Sequence, residues 1–383
     1  MNIILAPDSF KGSLTAMEVA KTMEKAILDL DRSHRVTLKP MADGGEGTSD
    51  ALLSSLTGKQ ITIDCTGPLG EKISTNYAML DSKEAVIELA NIAGLVQVPL
   101  KKRNPDVTTT YGVGEIILDA LEKGSTSIIL GIGGSATNDG GLGMLLALGM
   151  EAWDKEGRPV AGFGEDLHKI SRISFKNLDK RIQNVDIRVA CDVRNPLCGE
   201  NGASVVYGPQ KGANKQQVST YDQSLERYAS LIEEIVGRPL KEEPGAGAAG
   251  GMGFALLAVG AQLVSGAELL ASTMHLEEAI QHADLVITGE GQSDNQTLFG
   301  KAPGHVALLA KKHHVTAILL SGSLVGDLDA LRERFSGCFS IINKPLTLEE
   351  SMKEAKNLLY EQTKQIIHFA SSQSITYHKT FIN

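Results

Sequence analysis

At both ends of the chain, short apolar runs alternate with segments of helical periodicity. Residues 2–6 form an apolar run that reads as a first strand. Thr15-x-x-Glu18 is a capping-box pattern, and Met17, Ala20, Met23, Ile27 and Leu30 then recur along one helical face. A strand over residues 35–40 and a helix to about residue 56 follow. From residue 276 the alternation returns, with strands at 284–288, 316–320 and 339–342. Helices are expected at 302–313, 328–335 and 348–368. Short apolar strands separated by helices mean parallel sheets joined by βαβ crossovers.

The middle of the chain reads differently. Strands near 74–80 and 84–88 meet at Asp81-Ser82 as a hairpin. A helix at 111–123 and the apolar strand 127–132 lead into the richest glycine loop of the chain. A strand at 186–190 and a helix at 215–236 come later. The expected architecture is α/β throughout: two α/β domains with mostly parallel sheets, one inserted into the other. Residues 1–80 and 272–383 make the discontinuous domain, and 81–271 the inserted one.

Composition changes this picture in three places. At 383 residues the chain has room for roughly two domains of about 150 residues each. Forty residues are glycine, above the usual share of about 7%, and they cluster in loops after strands, where they bear on function. A formal net charge of −9 argues against a nucleic-acid partner, which needs a basic face. The four cysteines, Cys65, Cys191, Cys198 and Cys338, form no CxxC pair, so neither a disulfide framework nor a zinc site follows. The N-terminus lacks the basic start of a signal peptide. The uncharged stretch 244–267 is rich in Gly and Ala, and reads as a buried helix rather than a membrane span. A reducing cytoplasm is the expected compartment, and a monomer or homodimer the expected state.

Candidate chemistry sits in loops that follow strands, where open α/β sheets gather ligands. The strongest is Gly131-Ile132-Gly133-Gly134-Ser135-Ala136-Thr137-Asn138-Asp139-Gly140-Gly141. Glycines let backbone N–H groups approach an anion, and Ser135, Thr137 and Asn138 carry donors for phosphate oxygens. Asp139 is a candidate Mg²⁺ ligand. The same loop holds Gly131-x-Gly133-x-x-Ala136 with Glu151 about 20 residues on, close to a dinucleotide fingerprint. An NAD-dependent hydroxy-acid oxidoreductase is therefore the alternative enzyme, and a non-catalytic nucleotide-binding regulator the alternative outside catalysis. Gly245-x-Gly247-x-x-Gly250 also matches but lacks a preceding strand; it is a phosphate cradle or a site of close helix packing. No GxxxxGK[ST] is present. Further loops offer Asp8, Ser9 and Lys11; Asp43 and Glu46; Asp192 and Asn195; and Glu290, Asp294 and Lys301.

Taken together, Ala6-Pro7-Asp8-Ser9-Phe10-Lys11-Gly12, Met41-Ala42-Asp43-Gly44-Gly45-Glu46-Gly47, Gly133–Gly141, Cys191-Asp192-Val193-x-Asn195-Pro196-Leu197 and Thr288-Gly289-Glu290-Gly291 resemble the type-1 glycerate kinase family of bacteria. The resemblance spans essentially the whole chain. It implies a flavodoxin-like domain, an active site in the interdomain cleft, and the conversion of ATP and D-glycerate to ADP and phosphoglycerate, with 2-phosphoglycerate favoured. The residue roles are inferred from the chemistry phosphoryl transfer needs. Gly133, Gly134, Ser135, Thr137, Asn138 and Gly140, with Glu290 and Lys301, are expected to hold ATP. Mg²⁺ would take Asp192, Asp139 or Asp294. Asp192 is the first choice of proton acceptor and Asp43 the second. Lys11, with Ser9, Asp43 and Asn195, would bind glycerate.

Overall fold

The computed structural model describes residues 1–42, 44, 45 and 47–380, with side chains through 372. The chain is α/β and divides into two compact units: residues 1–43, 50–56 and 267–383, and residues 44–49 and 57–266.

The first unit carries a five-stranded sheet in the order Arg35–Leu38, Asn2–Leu5, Leu285–Thr288, Thr316–Ser321, Gly337–Ser340. Every pairing in it is parallel. Counted along the chain this is the order 2-1-3-4-5, the flavodoxin arrangement. All four residues of Leu285–Thr288 are buried, so this strand reads as an unbroken apolar run rather than an alternation. Ala16–Leu30 starts at the Thr15/Glu18 capping box and buries Val19, Met23 and Ile27. Those side chains share a core with Leu358, Leu359, Ile366 and Ile367 of the long final helix, Leu348–Thr380.

The second unit holds a six-stranded sheet in the order Gln262–Val264, Asp186–Ala190, Ser127–Gly131, Glu84–Glu88, Lys72–Leu80, Gly58–Thr66. Its first four strands are parallel, and the last two form an antiparallel extension. This pairing carries residues 57–80 into the second unit. Ala78 lies opposite Val86, and the hairpin that ends at Leu80 would leave a sheet edge bare if assigned elsewhere.

The uncharged stretch forms Ala248–Ala258, with Met252, Phe254 and Leu256 fully buried in this unit's core. Among the described residues no helix is long and apolar enough to cross a membrane. Gly250 has a positive φ of 73°, and a Cβ there would run into the Thr137 carbonyl. Gly140 N–H also donates to Gly250 O at 2.9 Å. Close backbone packing thus explains this glycine cluster.

Candidate active site

In the first unit, the chain reverses its order across the sheet between Asn2–Leu5 and Leu285–Thr288. That is where an open α/β sheet leaves a crevice at its carboxyl edge. The two loops leaving these strands are stitched together: Asp8 N–H donates to Gly289 O at 2.8 Å, and Thr288 Oγ1 donates to Ala6 O at 2.7 Å. A Cβ at Gly289 would collide with the Leu320 carbonyl, so only glycine lets the strand Thr316–Ser321 run this close. A cavity of about 460 Å³ opens on this edge. Ser9, Lys11, Glu290, Asp294 and Lys301 all line it, and so does Asp8.

Glu290 organises the polar end. It is almost buried, and its Oε1 accepts from Thr297 Oγ1 at 2.6 Å and Ser293 Oγ at 3.2 Å. Its Oε2 accepts from Lys301 Nζ at 3.2 Å. Ser293 Oγ also meets Ser321 Oγ at 2.8 Å, which ties the cluster to the next strand. Lys301 precedes the helix Ala302–Lys312 as its N-cap, so its backbone sits at the positive end of that dipole. Asp294 Oδ1 caps a short turn by accepting from Gln296 N–H at 2.8 Å. Asp8 Oδ1 accepts from Ser9 N–H at 2.6 Å.

In the second unit, the equivalent edge brings together a different set. Gly131 lies opposite Ala190 in register, so Gly133 and Asp192 leave neighbouring strands at matching positions. Gly44 packs so closely that a Cβ on it would collide with Ala190, and a Cβ on Gly131 would collide with the Gly44 carbonyl. Glu88, at the end of its strand, accepts from Ser49 N–H at 2.6 Å and Gly47 N–H at 3.3 Å, and holds that glycine loop in place. Asp192 is exposed, and its Oδ1 accepts from Gly266 N–H at 3.0 Å. Asn195 is committed within its own loop, donating to Asn201 O at 2.8 Å and accepting from Tyr207 OH at 2.6 Å. Asp43 and Glu46 lie outside the described residues.

The glycine-rich loop differs from expectation in its side chains. Gly133 and Gly134 are exposed, whereas Ser135, Thr137, Asn138, Asp139 and Gly140 are buried. Asp139 has no exposed surface. Its oxygens accept from Thr110 Oγ1 at 2.7 Å, Thr110 N–H at 2.9 Å, Gly141 N–H at 3.1 Å and Gly143 N–H at 3.3 Å. Burial pushes its carboxyl up while these donors pull it down. A carboxylate saturated by four internal donors anchors the loop and has no face to offer Mg²⁺. Asn138 Nδ2 donates inward to Ser204 Oγ at 2.9 Å.

Lys211, not anticipated from the sequence, is fully buried behind this loop. It donates to Ser135 Oγ at 2.8 Å and to Thr137 O at 2.6 Å. Nothing in Pro209-Gln210-Lys211-Gly212 marks it as an interior lysine. Burial pushes its ammonium down from 10.5 to about 7, against the pull of Asp139. An unfolded lysine takes up its proton near 10.5 and this one only near 7, so between those values the unfolded chain binds more protons. Its contribution to stability is therefore complete above pH 10.5 and falls away as pH drops to about 7. Urea unfolding should show the stability gap between wild type and Lys211→Met shifting in favour of wild type from pH 7 to pH 9, by at most about 1.4 kcal/mol per pH unit. Parallel curves would contradict this.

The dinucleotide alternative loses its acid. Glu151 belongs to Glu151–Trp153, which pairs antiparallel with Arg172–Ser174 in a separate two-stranded sheet. It does not end the next parallel strand, as ribose recognition would require.

Known proteins resemble this chain along nearly its whole length. Residues 3–371 match the family model described as the glycerate kinase family. A protein of Halalkalibacterium halodurans named glycerate kinase is 44% identical, over 95% of this chain and 97% of its own. One of Escherichia coli K12 named glycerate 2-kinase is also 44% identical, over 96% and 97%. A crystal structure described as putative glycerate kinase 2 of Salmonella typhimurium LT2 superposes with a TM-score of 0.89 at 41% identity, covering 98% of this chain and 99% of that one. With this match along nearly its whole length, and with its glycine loops and carboxylates set at the carboxyl edges of parallel strands, the chain belongs to the glycerate kinase family and is a kinase.

Proposed function

We propose that this chain transfers the γ-phosphate of ATP to the 2-hydroxyl of D-glycerate, in the cytoplasm, yielding 2-phosphoglycerate and ADP. The observation that carries the reading is the 460 Å³ cavity at the switch point of the flavodoxin-like sheet, where two lysines and three carboxylates line a single opening. A three-carbon acid alone would leave most of that volume empty, so there is room for part of a nucleotide as well. The name of the E. coli relative favours the 2-position. Four cysteines present as free thiols suit a reducing compartment.

Phosphoryl transfer asks the protein mainly for positioning and charge stabilisation. Lys301, held by Glu290, is assigned to the phosphate chain of the nucleotide. Lys11 and Ser9 are assigned to the glycerate carboxylate, which a lysine ammonium meets as a charge-assisted hydrogen bond. The exposed Gly133 and Gly134 supply backbone amides for an anion, while Ser135, Thr137 and Asn138 support them from the interior. Asn195 positions its own loop. Asp192 is assigned as the acceptor of the hydroxyl proton.

Among the described residues no three of His, Cys, Asp or Glu come close enough to hold a metal unaided. That fits Mg²⁺, which is ordinarily bound by one or two carboxylates plus substrate phosphates and water. Asp294 and Asp192 are the carboxylates assigned to it, one from each unit's set. When bound with the nucleotide, the ion would neutralise phosphate charge.

Lys11→Ala tests the carboxylate assignment. The KM for D-glycerate should rise about tenfold or more, with the KM for ATP nearly constant. An unchanged glycerate KM would remove Lys11 from that role.

A further inference from the structure

One wall of the switch-point cavity is apolar and is not used by the roles above. The final helix contributes Leu348, Met352 and Ala355, spaced i, i+4 and i+7, with Ser351 beside them, so that its first two turns turn one largely apolar stripe toward the cavity. Phe10, Ile341 and Ile342 complete the wall. Ala355 continues into the buried core, as expected of a helix stripe. Leu348 and Met352 do not: they remain 77% and 37% exposed, over the opening rather than inside the core. Large apolar side chains left at the mouth of a cavity lose free energy to water unless something apolar covers them. The same cavity carries Lys11 and Lys301. A ligand that satisfies both parts has an apolar portion and an anionic portion, within a space that a three-carbon acid does not fill.

We propose that the Leu348–Met352 stripe, with Phe10, Ile341 and Ile342, is the base-binding wall of the nucleotide site, receiving the purine ring while the phosphates face the lysine end. This rests on the kinase reading above and adds where the nucleotide lies: in the first unit, on the final helix. Aliphatic and thioether groups would hold the ring by apolar contact, and the adaptable Met side chain suits a planar partner. The sequence carried a sign of this, since Leu348 and Met352 are large apolar residues at the start of a helix whose neighbours Glu349, Glu350 and Lys353 are charged.

Calorimetric titration of the full-length protein with MgADP and, separately, with Mg-pyrophosphate provides the test. For Leu348→Ser/Met352→Ser the Kd for MgADP should rise about tenfold or more, while pyrophosphate, which has no base, should bind within about twofold of wild type. Met352→Leu should keep ADP affinity within about threefold. Should the double variant fail to fold, Met352→Gln alone should weaken ADP and spare pyrophosphate. An unchanged ADP affinity, or an equal loss for both ligands, overturns the base-binding wall. The wild-type protein in the same experiment separates the two claims. Glycerate-dependent ATP turnover with ADP affinity indifferent to the stripe sinks the wall alone; absence of both turnover and ADP binding sinks the kinase reading with it.

Discussion

Asp192→Asn is expected to lower kcat by about 10²–10⁴-fold, the usual worth of a positioned general base. Register and exposure single out this carboxylate. Ala190 and Gly131 are partners in neighbouring parallel strands, so Asp192 emerges beside the exposed Gly133 and Gly134 at the edge where ligands collect. Its Oδ1 is braced by Gly266 N–H at 3.0 Å, which fixes the carboxylate against the end of the Gln262–Val264 strand. Asparagine keeps the size and an acceptor oxygen for that bond but is not a useful base. The loss should therefore appear in kcat, with glycerate binding nearly intact. Turnover at the wild-type rate would take this role from Asp192.

Asp139→Ala should be the most destabilising single change in the glycine loop, by about 3–5 kcal/mol in urea unfolding. The side chain is wholly buried, and removing it strands three backbone N–H groups and the Thr110 hydroxyl at once. Unsatisfied buried donors are costly because they lose water without gaining a partner. Thr110 Oγ1 in turn accepts from Met144 N–H at 3.0 Å, so the damage should spread to the short helix Leu142–Ala147. A variant within about 1 kcal/mol of wild type would mean that the loop does not depend on this anchor.

These two aspartates show where sequence reading succeeds and where it stops. The parallel strands of the first unit were legible because fully buried strands are continuous apolar runs: Leu285-Val286-Ile287-Thr288 has nothing else to be. The first helix was legible from its capping box and from the spacing of Met23 and Ile27. The long edge strand Gly58–Thr66 was missed. It is half polar, and only the alternation of Ile61, Ile63 and Cys65 marks it, on a strand largely open to solvent. Overlooking it also carried the first unit's boundary from residue 56 to residue 80.

For the candidate site, loops that follow strands could be found from glycine and carboxylate clusters, and Lys11, Glu290, Asp294 and Lys301 do line one cavity. Which way each side chain points could not be found that way. Ser135, Thr137 and Asp139 read as donors and ligands by type, yet depth decides their role, and depth depends on Lys211 and Thr110 arriving from distant segments. Asn195 likewise reads as a contact for substrate until Tyr207 and Asn201 claim its amide.

ADP release by the purified protein measures most directly whether it phosphorylates glycerate with ATP. The assay takes Mg·ATP with D-glycerate, L-glycerate or no acceptor, and phosphorus NMR reads the product. Release of ADP that requires both D-glycerate and Mg²⁺, with 2-phosphoglycerate as the product, is the result predicted. ADP release indifferent to D-glycerate, or none at all, would contradict it.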